Sequence, residues 1–211
     1  MNCYKVTKVK DYEEFRKVAP NLERAYVTNY PWGCEYRPET FGTLAWDGEN
    51  IYVYMRTYDK YRKADANDNG DIYMDSCMEF FVNPIPGVRD IFINFEVNPK
   101  GNLYLAIGPK EIENRILLDT TEYNHFGIEI REAVQDGEYW DFSAKIPLEF
   151  FEKNVPEFKR GEEMHLTGNF FKCGDGLPEI HYGTWNNIEP KTPEPFFYRI
   201  DCFAALDFMN K

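Results

Sequence analysis

Short runs of alternating apolar and polar residues, separated by turn sequences, are the feature that most limits how this chain can fold. Alternation with a period of two is typical of strands that bury one face. The runs occupy residues 24–30, 40–59, 77–84, 90–108, 126–134, 139–147, 164–175 and 205–208. Asp47-Gly48 divides the second run and the sequence PKGN at 99–102 divides the fourth, so each of these two runs predicts a β-hairpin. Asp136-Gly137 predicts a further turn.

Two segments carry helix signals. DYEEFRKVAP offers Asp11 as an N-cap and stops before Pro20, and IPLEFFEKNVP begins at Pro147 and ends before Pro156. About ten short strands and two brief helices predict an all-β fold, an antiparallel β-sandwich of the jelly-roll or immunoglobulin-like type. No linker composition interrupts the sequence, so we expect a single domain over residues 1–211.

The charge balance limits the class of partner. Acidic residues number 36 against 24 basic ones, the formal net charge is −12, and no basic run occurs. Nucleic-acid binding needs clustered Lys and Arg, so we expect no nucleic-acid partner, and neutral ligands or cations fit better. No window approaches a transmembrane length, which argues against a membrane partner. The N-terminal sequence lacks the apolar segment of a signal peptide, so the chain as given is expected in the cytoplasm, or outside the cell if a signal was removed.

The cysteines do not form a recognisable motif. Five of them are spread over the sequence with no C-x-x-C spacing: Cys3, Cys34, Cys77, Cys173 and Cys202. An odd, scattered set predicts neither a disulfide framework nor a zinc site. We therefore expect free thiols in a reducing compartment.

Three predicted strands carry a polar stripe on one face. Alternation separates Glu79 from Met78 and Phe80, and the same rule groups the residues of each strand. The three groups are Cys77, Glu79, Phe81 and Asn83; Phe92, Asn94, Glu96 and Asn98; and Thr167, Asn169, Phe171 and Cys173. An ordinary solvated sheet face is one interpretation. Amides and carboxylates interspersed with aromatic rings favour a concave sugar-binding face, because sugar hydroxyls need such partners and pyranose C–H faces need flat apolar area.

The loop GTWNN at 183–187 adds aromatic and amide groups. Trp185 is either a structural plug or a ligand platform. Tyr182, Asn186 and Phe197 lie close to it in sequence, which favours a role in ligand binding.

A possible cation site is indicated by DANDNG at 65–70. Asp65, Asn67 and Asn69 match the first half of a calcium-binding loop. Ser76 stands where an EF-hand requires a bidentate glutamate, so this is no EF-hand. The alternatives are a calcium site in an oxygen-rich turn, which would make Ca²⁺ the one cofactor, and a hydrated Asn-Gly hairpin.

Six stretches, taken in order, resemble the family 9 carbohydrate-binding modules, non-catalytic sandwich domains often attached to xylanases. The stretches are LAWDGENIYVYMRTYD, DSCMEFFVNP, FEVNPKG, GNFFKCGD, TWNN and CFAALDF. They cover most of the chain from about residue 40. The resemblance implies a jelly-roll-like sandwich, bound calcium, and a slot that holds a sugar between two aromatic side chains.

Several site residues follow from this resemblance. Glu79 is similar to the family's glutamate that bonds sugar hydroxyls, and Tyr73 and Phe197 fall on its two platform positions, which are tryptophans in well-known members. The family's arginine falls on Glu96, and its glutamine falls on Phe171. These departures change the sugar and the reducing-end preference that the resemblance would otherwise imply.

Three functions remain open from the sequence. The favoured one is non-catalytic binding of a mono- or oligosaccharide, or of a polysaccharide end, with a separate glycoside hydrolase as a further partner. The second is a glycoside hydrolase that uses Glu79 and Glu96 as its carboxylate pair. The third is a purely structural sandwich. No nucleophile motif accompanies the histidines, which favours binding over catalysis.

Overall fold

The computed structural model describes residues 3–133, 138–161 and 164–208. The strands are β1 (Cys3–Lys8), β2 (Ala25–Tyr26), β3 (Thr40–Trp46), β4 (Asn50–Thr57), β5 (Cys77–Asn83), β6 (Phe92–Val97), β7 (Leu103–Gly108), β8 (Ile116–Leu117), β9 (Glu129–Ala133), β10 (Tyr139–Pro147), β11 (Leu166–Cys173), β12 (Tyr182–Thr184) and β13 (Ala204–Phe208). The predicted turn at Asp136-Gly137 lies outside the described residues.

The helices are α1 (Tyr12–Val18), α2 (Glu122–His125) and α3 (Leu148–Asn154). The Asp11 carboxylate accepts a hydrogen bond from the Glu14 backbone N–H at 2.9 Å, so the predicted N-cap of α1 is confirmed. The sequence did not predict α2, a single turn in which Tyr123 has the left-handed φ of 53°. Among the described residues no helix is both long enough and apolar enough to cross a bilayer.

The strands form one curled mixed sheet whose two halves pack against each other. The first half has the order β8-β7-β6-β5-β11-β13 with β12 on β11, and the second has β3-β4-β10-β9 with β2 on β3. β1 joins the halves by pairing in parallel, first with β13 through residues 3–6 and then with β3 through Thr7 and Lys8. The predicted all-β sandwich is confirmed. The strand pairs of the described residues are antiparallel except at β1, which lies between β13 and β3, two strands that run in its own direction.

Both predicted hairpins are confirmed. The Asp47 carboxylate accepts two turn N–H groups between β3 and β4, at 2.8 and 2.7 Å, and Gly48 takes φ 100°. The Asn98 side-chain oxygen does the same between β6 and β7, at 3.1 and 3.0 Å, and Gly101 takes φ 84°. The side chains of Asp and Asn thus supply the acceptors that the turn backbone lacks, while glycine tolerates the positive φ.

β5 separates the core from the face that carries the candidate site. Met78, Phe80 and Val82 are fully buried in the main core, which also holds Val53 of β4 and Phe142 of β10 from the other half. The intervening residues of β5 therefore face away from the core. This arrangement follows the predicted alternation.

Residues 186–203, which connect β12 to β13 along the chain, are called the covering segment here. This segment packs over the face of the sheet that carries Glu79. Its residues Ile188 and Phe203 are buried together with Phe81, Phe92 and Phe171 of the sheet. The predicted polar face is therefore not an open concave surface, because this segment covers much of it. It leaves a pocket at the end of the sheet that holds Glu79.

Candidate functional site

Glu79 of β5 and Glu96 of β6 are directly paired across the two strands. The Glu79 residue is 2% exposed and the Glu96 residue 5% exposed. Phe171 of β11 pairs with Glu79 on its other side. Glu79, Glu96 and Phe171 therefore share the face that sequence alternation predicted for them. The two carboxyl groups lie side by side at the bottom of a cavity and not on a solvated surface.

The cavity encloses about 430 Å³ and combines the carboxyl groups with aromatic walls. Glu79, Glu96 and Cys173 lie deepest, since each is at most 5% exposed. The other lining residues are Asn69, Gly70, Asp71, Tyr73, Tyr104, Ile112, Asp175, Tyr182, Pro195, Phe196, Phe197 and Tyr198. The predicted residues Tyr73, Glu79, Glu96 and Phe197 are thus brought together in one pocket.

The aromatic walls differ in how firmly they are held. Phe197 stacks on the buried Phe171, with ring centroids 4.5 Å apart and planes 20° apart. Tyr198 packs edge-on against Phe92 at 5.4 Å. Tyr73, in contrast, is 43% exposed and presents its ring to solvent at the pocket. The pocket therefore has one wall fixed on the sheet and one ring free to contact a ligand.

Burial controls the protonation of the two carboxyl groups. It raises the pKa of Glu79 well above its usual range, and the neighbouring Glu96 carboxylate raises it further. Burial also raises the pKa of Glu96, to about 7. Two like charges at paired positions of a buried site disfavour each other. Near neutral pH the pair therefore holds a proton on Glu79, so it can both donate and accept hydrogen bonds.

A polar relay supports Glu96 from behind. The Asn94 side-chain amide donates to Glu96 Oε1 at 2.6 Å. Arg115 donates to Asn94 Oδ1, and its guanidinium lies 3.9 Å from the ring centroid of Phe92 and 4.8 Å from that of Tyr198. Asn94 thus positions the Glu96 carboxylate. Arg115 holds Asn94 in place and brings a positive charge near the Glu96 carboxylate.

Trp185, Asn169 and Asn186 lie outside the pocket. Trp185 is 9% exposed and packs edge-on in the core against Tyr4 and Phe170, with centroids 6.0 and 5.9 Å away. The Asn169 amide donates to the Asn186 carbonyl at 3.0 Å, and its oxygen accepts the Asn186 backbone N–H at 2.9 Å. These residues fasten the start of the covering segment to β11.

The predicted calcium loop is held by protein groups. Asn69 donates its side-chain amide to the Leu118 carbonyl and accepts the Leu105 N–H, both at 2.9 Å. The Asn67 carbonyl accepts the Gly70 N–H at 2.9 Å, and the Asp65 backbone N–H donates to the Asp75 carboxylate at 3.0 Å. The segment is a hydrogen-bonded turn in the connection between β4 and β5, two strands that do not pair with each other, so it is not a β-hairpin. Calcium binding by Asp65, Asn67 and Asn69 stays a prediction.

Several residues that line the pocket were not predicted from the sequence. Tyr104 is paired with Glu96 across β6 and β7, a neighbour that strand register would have found. Asp175 and Tyr198 lie in turns and in the covering segment, where alternation gives no direction. Cys173 shares a face with the predicted Asn169 and Phe171, but only the β5–β11 pairing shows that it lies opposite Cys77.

A sequence model of the family described as carbohydrate-binding family 9 matches residues 18–208. No match was found among curated protein sequences. A crystal structure from Bacteroides uniformis ATCC 8492, described as a candidate carbohydrate-binding protein, superposes with a TM-score of 0.81 at 24% identity over 99% of both chains.

Two further structures share the fold at lower identity. Both are family 9 carbohydrate-binding modules from Caldicellulosiruptor kristjanssonii. The complex with glucose has a TM-score of 0.65 and 13% identity, over 100% of this chain and 97% of the other. The complex with cellotriose has a TM-score of 0.68 and 12% identity, over 100% and 95%.

Proposed function

The chain belongs to carbohydrate-binding family 9, and from this premise we propose that the pocket above Glu79 and Glu96 is its sugar-binding site. The proposed ligand is a single pyranose ring of the glucose type, as a free sugar or at the end of a gluco-oligosaccharide. The modules from Caldicellulosiruptor kristjanssonii, which share the fold, were solved with glucose and cellotriose.

The observation that carries the proposal is a paired carboxyl floor beneath aromatic walls. A cavity of about 430 Å³ falls within the range of small-molecule sites. A protonated Glu79 can donate to one hydroxyl while the Glu96 carboxylate accepts from another, so adjacent hydroxyl groups of a pyranose meet complementary partners. Tyr73 and Phe197 offer flat apolar area for the C–H faces of the ring.

The position of the carboxyl pair favours binding over hydrolysis. Glycoside hydrolysis requires two carboxyl groups that flank the scissile bond. Glu79 and Glu96 occupy paired positions on one face of the sheet, at one end of one pocket. A sugar seated above them therefore has both groups on the same side. In the proposed role, a separate glycoside hydrolase supplies the chemistry and this domain supplies contact with the carbohydrate.

A titration of one variant tests the proposal. Glu79→Leu removes both oxygens and introduces no new charge, so we expect a folded protein that binds glucose and cellotriose at least about tenfold more weakly, or about 1.4 kcal/mol. Glu149→Gln alters an exposed carboxylate on α3, away from the pocket, and serves as the control. Isothermal titration calorimetry measures both. Unchanged binding by Glu79→Leu would place the sugar elsewhere, and release of reducing sugar from cellotriose by the wild type would identify a hydrolase.

A further inference from the structure

Two thiols and a carboxyl group meet below the pocket, although their cysteines are far apart in sequence. Cys77 of β5 pairs directly with Cys173 of β11, and Glu79 follows Cys77 on the same face of β5. The two sulfur atoms and a Glu79 oxygen all lie within 4.8 Å of one another. Both thiols approach the same atom, Glu79 Oε1, Cys173 at 2.9 Å and Cys77 at 3.7 Å. The two sulfur atoms and the Glu79 oxygen are therefore close enough to bind a single ion.

From this arrangement we propose that Cys77, Cys173 and Glu79 form a binding site for a thiophilic divalent cation, with Zn²⁺ as the expected ion. Zinc takes sulfur ligands at about 2.3 Å and carboxylate oxygens at about 2.0–2.2 Å, so the ligand atoms of a tetrahedral site lie about 3.5–3.8 Å apart. The Cys77 sulfur lies within this range of Glu79 Oε1, at 3.7 Å, and the Cys173 sulfur is closer, at 2.9 Å. The Cys173 contact lengthens when the ion replaces its S–H···O hydrogen bond.

The ligand set selects the ion. Two thiolates favour zinc and its soft analogues over calcium and magnesium, which prefer sites made of oxygen atoms. Cys173 and Glu79 line the sugar pocket, whereas Cys77 is completely buried behind them. An ion can therefore enter through the pocket, and its fourth position faces the pocket, where water or a sugar hydroxyl can coordinate. Sites with three protein ligands and one open position are familiar for zinc.

Coordination exchanges protons for the ion, without electron transfer. Each thiol loses its S–H proton as its sulfur bonds to the metal, and the Glu79 carboxyl group loses its proton as its oxygen does the same. The protons leave through the pocket to solvent. The bound cation offsets the negative charge that this deprotonation creates. Glu96 beside Glu79 adds further negative charge that attracts a cation.

The test begins by removing the competing thiols. Cys3 is exposed and Cys34 is half-buried, so a Cys3→Ser/Cys34→Ser double variant serves as the reference protein. Co²⁺, which replaces Zn²⁺ and gives a thiolate charge-transfer absorption, is titrated into it under reducing conditions. We expect one equivalent to bind per chain, with absorption from two thiolates. Zn²⁺ should displace the Co²⁺ and raise the melting temperature.

Single variants in that reference protein identify the ligands. Cys77→Ser and Cys173→Ser should each weaken Co²⁺ binding at least about 100-fold. Loss of a residue that only supports a ligand can already weaken metal binding by up to about 100-fold, and loss of a ligand itself should cost at least as much. Glu79→Gln should weaken binding while keeping the thiolate absorption. Cys202→Ser changes a thiol in a different cluster and should bind as the reference does.

Either of two results would overturn the proposal. One is the absence of stoichiometric Co²⁺ binding and thiolate absorption in the reference protein, a measurement that stays valid even if a cysteine variant fails to fold. The other is unchanged binding by a folded Cys77→Ser or Cys173→Ser variant. The titration contains no sugar, so its outcome is independent of the proposed carbohydrate site, although both use Glu79.

Discussion

Phe197 stacks on Phe171, with ring centroids 4.5 Å apart and planes inclined by only 20°. Phe171 belongs to β11 and is completely buried, whereas Phe197 belongs to the covering segment and lines the pocket. The contact ties the wall of the pocket to the sheet. At the position where family resemblance led us to expect a glutamine that bonds the sugar, this chain has an aromatic ring that supports another ring.

That contact distinguishes the two predicted platform residues. Tyr73→Ala should weaken sugar binding by about 1–3 kcal/mol with little loss of stability, because a ring that is 43% exposed contributes mainly to the complex. Phe197→Ala should weaken binding by a similar amount and also lower the melting temperature, since it removes the stack on Phe171. Isothermal titration calorimetry and thermal unfolding measure the two effects.

A matched control is available for the exposed ring. Tyr26 is 40% exposed and does not line the pocket, so Tyr26→Ala should leave sugar binding unchanged. If Tyr73→Ala and Phe197→Ala both bind cellotriose like the wild type, these two rings do not contact the ligand.

The attachment of the covering segment gives a prediction about stability. Asn169 is fully buried and bonds to the Asn186 N–H, to the Asn186 carbonyl at 3.0 Å and to the Cys202 carbonyl at 3.3 Å. Asn169→Ala removes all three bonds, although the Asn186 carbonyl keeps the Thr184 hydroxyl at 2.7 Å and the Cys202 carbonyl keeps the Asn186 side-chain amide at 2.8 Å. The free energy of unfolding should therefore fall by about 1–3 kcal/mol. Urea denaturation measures it. A loss below about 0.5 kcal/mol would show that the other contacts of the segment, and not Asn169, hold it in place.

The sequence predicted the fold from signals that are local. Alternation located β5 and the direction of Glu79, and turn residues located both hairpins, because each depends on neighbours within a few positions. The family resemblance and the carbohydrate-binding function inferred with it are confirmed by the family match over residues 18–208. The resemblance also brought Tyr73 and Phe197, distant in sequence, to the same pocket as Glu79.

Long-range packing explains what the sequence did not predict. The residues after Trp185 are rich in proline and polar groups and resemble a surface loop, yet they cover the sheet. The covering segment buries Asn169, and the face that was expected to be open is reduced to a pocket. Similarly, the spacing of Cys77 and Cys173 carries no motif, and only the pairing of β5 with β11 brings them together.

A buried polar cluster beside the site leads to a prediction about acid stability. The His181 ring nitrogen Nδ1 lies 2.9 Å from the Glu179 carbonyl, to which it donates, and Nε2 accepts from the Lys172 ammonium at 2.9 Å. Lys172 also pairs with Asp59 at 2.8 Å, and both side chains are fully buried. The Tyr36 ring closes the other side of the imidazole, with centroids 5.3 Å apart. This arrangement needs a neutral imidazole, since its Nε2 must accept a hydrogen bond.

Burial, and then the neighbouring Lys172 charge, lowers the pKa of His181 from 6.5 to about 4. Between these two values the unfolded chain binds a proton at His181 that the folded chain does not, so the contribution of His181 to stability falls as the pH falls from about 6.5 to about 4. The histidine contributes about 3 kcal/mol to this loss. Glu96, whose pKa is raised to about 7, acts in the opposite direction between pH 7 and its unfolded value, so the effect of His181 has to be isolated by substitution.

Two histidine variants separate the effect of His181 on acid stability from that of the other titrating groups. His181→Gln removes the titrating group, so the free energy of unfolding of the wild type should fall relative to that of the variant by about 3 kcal/mol as the pH falls from 6.5 to 4. His165→Gln alters an exposed histidine and should keep the wild-type slope. Urea denaturation at half-unit pH intervals provides the measurement. Equal slopes for His181→Gln and the wild type would mean that His181 is protonated in the folded protein, with Lys172 or Asp59 arranged differently around it.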